Sequence, residues 1–203
     1  MIHAKQQQRP DVLKQRQRWS RLQQVVDPAR LVFLDETCLK TDMTTRYGRA
    51  PRSQRCVDHV PGGSWSTTTL LTAIRLDGLI EGATGLYEGP INAERFQDYV
   101  ESMLAPRLRP GDVVVMDNLA CHKAPAVVAA IEAVGARVRY LPPYSPDLNP
   151  IEPAFSKIKQ AMRRAAARCW ETLVSASVEA MRSVSPGDIA GYVRAAGYRE
   201  PVS

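Results

Sequence analysis

Three acids set far apart in the chain, Asp35, Asp117 and Glu152, have surroundings that point to chemistry. Asp35 follows the apolar run 31–34, and Asp117 follows a second apolar run, 113–116. Each reads as a buried strand carrying a carboxylate at its carboxyl end, where open α/β sheets gather ligands. Glu152 closes the segment LPPYSPDLNPIE, residues 141–152. Within it Asn149 reads as a helix N-cap, Pro150 as the first helical residue and Glu152 as the acid three past the cap. On those four residues alone Glu152 is a capping-box acid; beside Asp35 and Asp117 it becomes the third member of a carboxylate cluster. Like charges brought that close cannot all stay ionised without a counter-charge. A hard, oxygen-liganded cation such as Mg²⁺ supplies one. Two such ions, roughly 3.5–4 Å apart, clamp the attacking and leaving oxygens of a phosphoryl transfer.

The elements that would position these acids follow from periodicity. Residues 1 to about 29 read as one amphipathic helix with a ragged polar start, with Val12, Trp19, Leu22 and Val26 at helical spacing and Lys14, Arg16, Arg18 and Arg21 on its other faces. Trp19 packing it on the core and an arm lying along DNA are both open readings. A first strand spans about 30–35 and a turn-rich stretch covers 41–63. Two strands, about 66–75 and 79–87, are joined by Asp77-Gly78, a hairpin signal. Asn92 caps a helix to about 104, and the second acid-bearing strand covers 112–117. A helix from 125 to 134 is stopped by Gly135, a short strand follows at 137–141, and a proline-stiffened turn leads to Asn149. The helix from Pro150 to about Arg168 carries Ile151, Phe155, Ile158 and Met162 as a core stripe, with Glu152, Lys159 and Arg163 on a different face. Two shorter helices, 170–182 and 186–196, complete the chain; the second is capped by Ser185 with Asp188 three residues on.

Bulk properties narrow the classes. The chain has 203 residues, enough for one substantial core with room for an appendage. It contains no apolar run of the ~18 residues needed for a membrane span, and MIHAKQQQRP lacks a signal peptide's apolar core, so a cytoplasmic protein is expected. Cys38, Cys56, Cys121 and Cys169 are scattered without a CxxC pair, as reduced packing residues would be. The net charge of +6 is divided as +5 over residues 1–30, −3 over 31–152 and +4 over 153–203. An acidic centre between basic ends suits a metal site gripping a polyanion, with an ordinary solvated surface as the alternative. Arg46, Arg49, Arg52 and Arg55 fall three apart in a loop interrupted by Gly48 and Pro51, and read as phosphate contacts. Lys123, near a helix start, and Lys159 and Arg163, on the face of Glu152, read the same way. Residues 153–168 hold five Lys/Arg and no acid, which favours DNA over a merely solvated face.

FLDE at 33–36, MDNLACHKA at 116–124 and YSPDLNPIE at 144–152 resemble the DDE transposases of the mariner superfamily, in particular its bacterial insertion-sequence branch. Between Asp117 and Glu152 lie residues 118–151, 34 of them, the spacing of that branch. The likeness covers about residues 30–165. It implies an α/β, ribonuclease H-like fold, a mixed five-stranded sheet flanked by helices, with an N-terminal helical arm at 1–29, the catalytic domain at 30–168 and two C-terminal helices within 169–203. The strand and helix order read above agrees with that fold. The likeness also implies catalysis and metal binding by Asp35, Asp117 and Glu152 with two Mg²⁺ ions, Mn²⁺ serving as a substitute. Asn118 and His122 then orient the site or touch the DNA, although helix capping accounts for Asn118 equally well. The implied activity is cleavage of element ends and transfer of the freed 3′-hydroxyl to target DNA, by family analogy at a TA dinucleotide, with a homodimer on double-stranded DNA. One helix cannot make a helix-turn-helix, so the DNA-reading modules of full-length relatives are expected from an upstream-frame segment, or the chain is a truncated relic. Two other readings stay open: another ribonuclease H-like nuclease, and a non-catalytic DNA-binding remnant.

Overall fold

The computed structural model describes residues 5–45, 47–57, 59–60 and 65–199. Its sheet has five strands, β1 (Leu31–Lys40), β2 (Thr67–Arg75), β3 (Gly78–Glu88), β4 (Val113–Met116) and β5 (Arg137–Tyr140), in the order β3-β2-β1-β4-β5. The pairs β1/β2 and β2/β3 are antiparallel, and β1/β4 and β4/β5 parallel. This is the expected mixed ribonuclease H-like sheet. Its hairpin turns where the Asp77-Gly78 pair predicts, with Gly78 at φ 140°, a conformation that L side chains rarely adopt.

The helices are α1 (Pro10–Gln23), α2 (Ala93–Tyr99), α3 (Pro125–Ala133), α4 (Ile151–Ala165), α5 (Trp170–Arg182) and α6 (Pro186–Ala195). Strand pleating sends alternate residues to opposite faces, and two cores result. Leu31, Phe33, Leu70, Ile74 and Val115 meet α4, α5, α6 and Trp19 of α1 on one face. Val32, Leu34, Leu71, Val114 and Met116 meet Phe96, Tyr99, Val127 and Ile131 of α2 and α3 on the other. The α4 stripe is buried as its spacing predicts, Ile151, Phe155, Ile158 and Met162 all being 2% exposed or less. Burial of such side chains stabilises by roughly 1.5–3 kcal/mol each.

Several local expectations shift. The N-terminal helix is shorter than expected: after a 3-10 turn at Lys5–Gln8, α1 begins at Pro10 and ends at Gln23 rather than near residue 29. It docks on the core through buried Val12 and Trp19, and Trp19 Nε1 donates to the Tyr198 hydroxyl at 2.9 Å. Helix α2 continues beyond Tyr99 as a π-helical turn, Val100–Leu104. Helix α4 stops at Ala165 because Ala166 adopts the left-handed conformation, φ 50°. Cys38, Cys56 and Cys169 are exposed rather than packing residues. Among the described residues no helix is long and apolar enough to cross a membrane.

Candidate active site

Strand β1 does not end at Asp35. It runs on to Lys40, because antiparallel β2 continues beside it, pairing Asp35 with Thr72 and Lys40 with Thr67. What ends there is the other neighbour. Parallel β4 pairs Phe33 with Val115 and stops at Met116, so continuing the register sets Asp117 beside Asp35 on adjacent strands. The carboxylates meet at the carboxyl end of β4, along an edge of β1 that β4 leaves uncovered.

A cleft of about 700 Å³ lies there, lined by Asp35, Glu36, Asp117, Asn118, Asn149 and Glu152 together with the 141–146 turn. Three stretches of chain thus deliver the three anticipated acids to one place. Glu36 is a fourth, which the sequence reading passed over. Its signal was available: consecutive strand residues point to opposite faces, so two acids at a strand edge flank a cleft from both sides. Asp35 falls on the α4 face with Phe33, and Glu36 on the α2 face with Leu34.

Asp35 is 8% exposed. Its Oδ1 accepts from the Glu36 amide and its Oδ2 from Asn149 Nδ2, both at 2.8 Å. Burial pushes its pKa up to about 7, and the charges of Glu36, Glu152 and Asp117 add to the rise against the Glu36 amide. Asp117 moves the other way. Burial alone would raise its pKa, but His122, the Leu119 amide at 2.9 Å and the charge of Lys123 hold it below the usual range. Glu152, exposed on the first turn of α4, is raised by desolvation and by Asp117 against the opposing charge of Lys159.

His122 corrects an expectation. It is fully buried, stacked on Phe96 with ring centroids 4.4 Å apart, and so cannot touch DNA. Its Nδ1 lies 2.6 Å from Asp117 Oδ1 and its Nε2 3.2 Å from Glu36 Oε2. Burial works to lower its pKa, but the two carboxylates overcome this and raise it to about 9. The imidazolium therefore joins the loop after β4 to β1 through two acids of the cleft. Asn118 also turns inward, its amide donating to the Leu141 carbonyl, and so ties the loop after β4 to the one after β5.

Asn149 corrects another. Pro150 occupies the N-cap position of α4 with no side-chain capping bond, and the Asn149 amide is spent on Asp35 instead. The capping-box reading of Glu152 falls with it. A cap would use Asn149 Oδ1 as an acceptor; instead the side chain is oriented by Nδ2 donating to a buried carboxylate, a charge-assisted bond stronger than a neutral one.

The anticipated phosphate contacts divide. Lys123 is exposed and sits 5.5 Å above the Tyr140 ring. Lys159 and Arg163 are half-buried and line a pocket of about 270 Å³ with Cys38, Lys40, Asp42, Met43 and Thr44, on the extended part of β1 and beyond. Arg49 and Arg52 are exposed on an irregular segment and do not line the carboxylate cleft. Arg46 lies outside the described residues.

Four carboxylates facing one buried cation suit a hard divalent metal in their donor chemistry. Their spacing is open: among the described residues no three His, Cys, Asp or Glu side chains are gathered tightly enough to hold an ion as they stand. Asp35, Asp117 and Glu152 must draw together to do so.

Solved structures share this fold. The mariner Mos1 paired end complex with Mg is 20% identical over 97% of this chain and 60% of its own, with a TM-score of 0.72. The Mos1 strand transfer complex is 20% identical over 96% of this chain and 59% of its own, at 0.69. The Mos1 transposase catalytic domain with Raltegravir and Mg is 18% identical over 96% and 91%, at 0.67. The chain spans about 60% of the length of the first two. No curated protein sequence matches it. Residues 30–174 match the DDE superfamily endonuclease family. That match runs through all three acids and most of the chain, and the chain belongs to the DDE superfamily of endonucleases.

Proposed function

We propose that this chain is the catalytic domain of a DNA transposase of the bacterial insertion-sequence branch, cutting element ends and joining them to target DNA. The observation that carries this reading is the delivery of Asp35, Asp117 and Glu152, from three distant stretches, to one cleft at the carboxyl end of β4. Asp35, Asp117 and Glu152 would hold two Mg²⁺ ions, or Mn²⁺ in their place. When bound, such ions supply the positive charge that attacking and leaving oxygens need in an in-line phosphoryl transfer.

The chain's own groups prepare that step. His122 keeps Asp117 ionised, and Asp35 gives up its proton only near neutral pH, so the pair is poised to accept a cation together. Lys159 and Arg163 offer phosphate contacts on the Glu152 side and Lys123 on the Asp117 side, which supports the reading of a DNA backbone across the cleft. Arg49 and Arg52 extend that contact from the exposed 47–57 segment. The partners are double-stranded element ends and target DNA, a second copy of the chain on the same DNA, and a helix-turn-helix segment from an upstream frame. The setting is the cytoplasm, on the nucleoid.

Nicking of supercoiled plasmid by the purified protein, with Mg²⁺ or Mn²⁺ and with EDTA, tests the reading. Cleavage that requires metal and disappears in Asp117→Ala is the expected result. DNA that is bound but never cut, with or without an upstream helix-turn-helix segment supplied, would replace it with a non-catalytic DNA-binding role.

A further inference from the structure

The open spacing of the acids raises the question of what sets the distance between Asp35, on a central strand, and Glu152, on a helix start 117 positions later in the chain. One residue touches both. Asn149 is 4% exposed; its Nδ2 donates to Asp35 Oδ2 at 2.8 Å and its backbone carbonyl accepts the Glu152 amide at 3.3 Å. Its Oδ1 is buried without a hydrogen-bond partner among the described residues, so the bond to Asp35 is what orients the side-chain amide. An asparagine before a helix ordinarily bonds that helix's first turn. Here it forgoes the cap, and the helix goes without one.

The turn that carries Asn149 is fixed by contacts that do not involve its side chain. Arg16 reaches Ser145 at 2.7 Å and both carboxylate oxygens of Asp147 at 2.9 and 2.6 Å. The Tyr198 hydroxyl donates to the Leu148 carbonyl at 2.9 Å while accepting from Trp19. The Asn149 amide nitrogen closes the 3-10 turn on Pro146 at 3.0 Å. Arm, C-terminal segment and turn together hold the backbone, which leaves the side-chain amide to hold the acid.

We propose that Asn149 is a positioning residue that couples Asp35 to Glu152 and so sets the spacing at which the carboxylates close on a divalent cation. The inference rests on the metal-dependent reading of the cleft. Residues behind the direct ligands of a metal site typically cost 10–100-fold in metal affinity when replaced, because they fix the orientation of the ligand they bond.

The test is Mn²⁺ binding to the full chain without DNA, by electron paramagnetic resonance, for the wild type, Asn149→Leu and Asn149→Ser, with metal-free melting curves alongside. Leucine keeps the volume but has no donor, and serine keeps a hydroxyl one bond shorter than the amide that spans 2.8 Å to Asp35. The expected result is a roughly 10- to 100-fold weaker dissociation constant in both variants, with metal-free melting close to wild type. Wild-type affinity in a folded variant would overturn the proposal and leave the metal-dependent reading standing. Absence of Mn²⁺ binding in the wild type would overturn both. If both variants fail to fold, Asn149 is a structural keystone of its turn, and the positioning role is likewise overturned.

Discussion

The two ends of β4 each carry an aspartate, and they are treated in opposite ways. Asp112, just before the strand, is fully buried; its Oδ2 accepts from Arg75 at 2.7 Å and from the Arg109 amide at 2.6 Å. One acid meets one guanidinium and the two charges offset each other inside the protein, although Asp112 Oδ1 and Arg75 Nη1 have no hydrogen-bond partner among the described residues. Asp117, just after the strand, shares a cleft with Asp35, Glu36 and Glu152, and among the described residues the buried cation paired with this group is His122, against Asp117 and Glu36. Lys123 and Lys159 act only from the periphery. The amino end is built for stability and the carboxyl end is left electrostatically unfinished, in a form that a cation from outside completes.

The largest expected effect breaks the comparison at its settled end. Asp112→Ala leaves Arg75 buried and uncompensated, and should cost roughly 3–5 kcal/mol in chemical denaturation. Asp117→Ala, at the unfinished end, should cost far less stability while removing metal-dependent cleavage. Equal destabilisation by the two substitutions would mean that the ends do not differ as described.

Next in size is a pH effect. Asp35 has a folded pKa of about 7 against a reference value of 3.8, so the folded state holds an extra proton between those limits. Stability contributed by this group is therefore present at low pH and falls as pH rises from about 4 to 7. Asp35→Asn removes the penalty and should stabilise the metal-free protein by on the order of 2 kcal/mol at pH 8, with little gain near pH 4. Urea denaturation at the two pH values measures it, and a gain independent of pH would contradict the unbalanced charge.

Two smaller effects sharpen the picture. Asn92 does for α2 what Asn149 was expected to do for α4: its side chain accepts from the Arg95 amide at 2.9 Å. Asn92→Ala should therefore cost about 1 kcal/mol of stability, read by thermal denaturation, and leave Mn²⁺ affinity unchanged. Asn149 substitution should show the reverse pattern. Lys159→Ala should reduce the slope of log DNA affinity against log salt by about 1, measured by fluorescence anisotropy on duplex DNA. An unchanged slope would take Lys159 out of the DNA contact.

Local spacing along the chain predicts those features whose partners lie close in sequence. The Asp77-Gly78 hairpin, the Asn92 and Ser185 caps and the buried stripe of α4 all depend on residues within a few turns of one another, and all appear as expected. The gathering of the three acids in one cleft was legible because motif spacing marks the two strands and the helix start that carry them. Tertiary structure alone decided the rest. Strand β1 passes Asp35 because β2 pairs with it some 35 residues later, and Trp19 docks α1 through Tyr198, 179 positions away. His122 is buried because Glu36, 86 positions earlier, and Phe96 close over it, and Asn149 turns from its helix because its Nδ2 donates to the buried carboxylate of Asp35, 114 positions earlier. In each case the deciding partner is distant in sequence and near only in space. A buried charge or aromatic ring outweighs a local backbone bond, and sequence spacing does not show which distant group will be there.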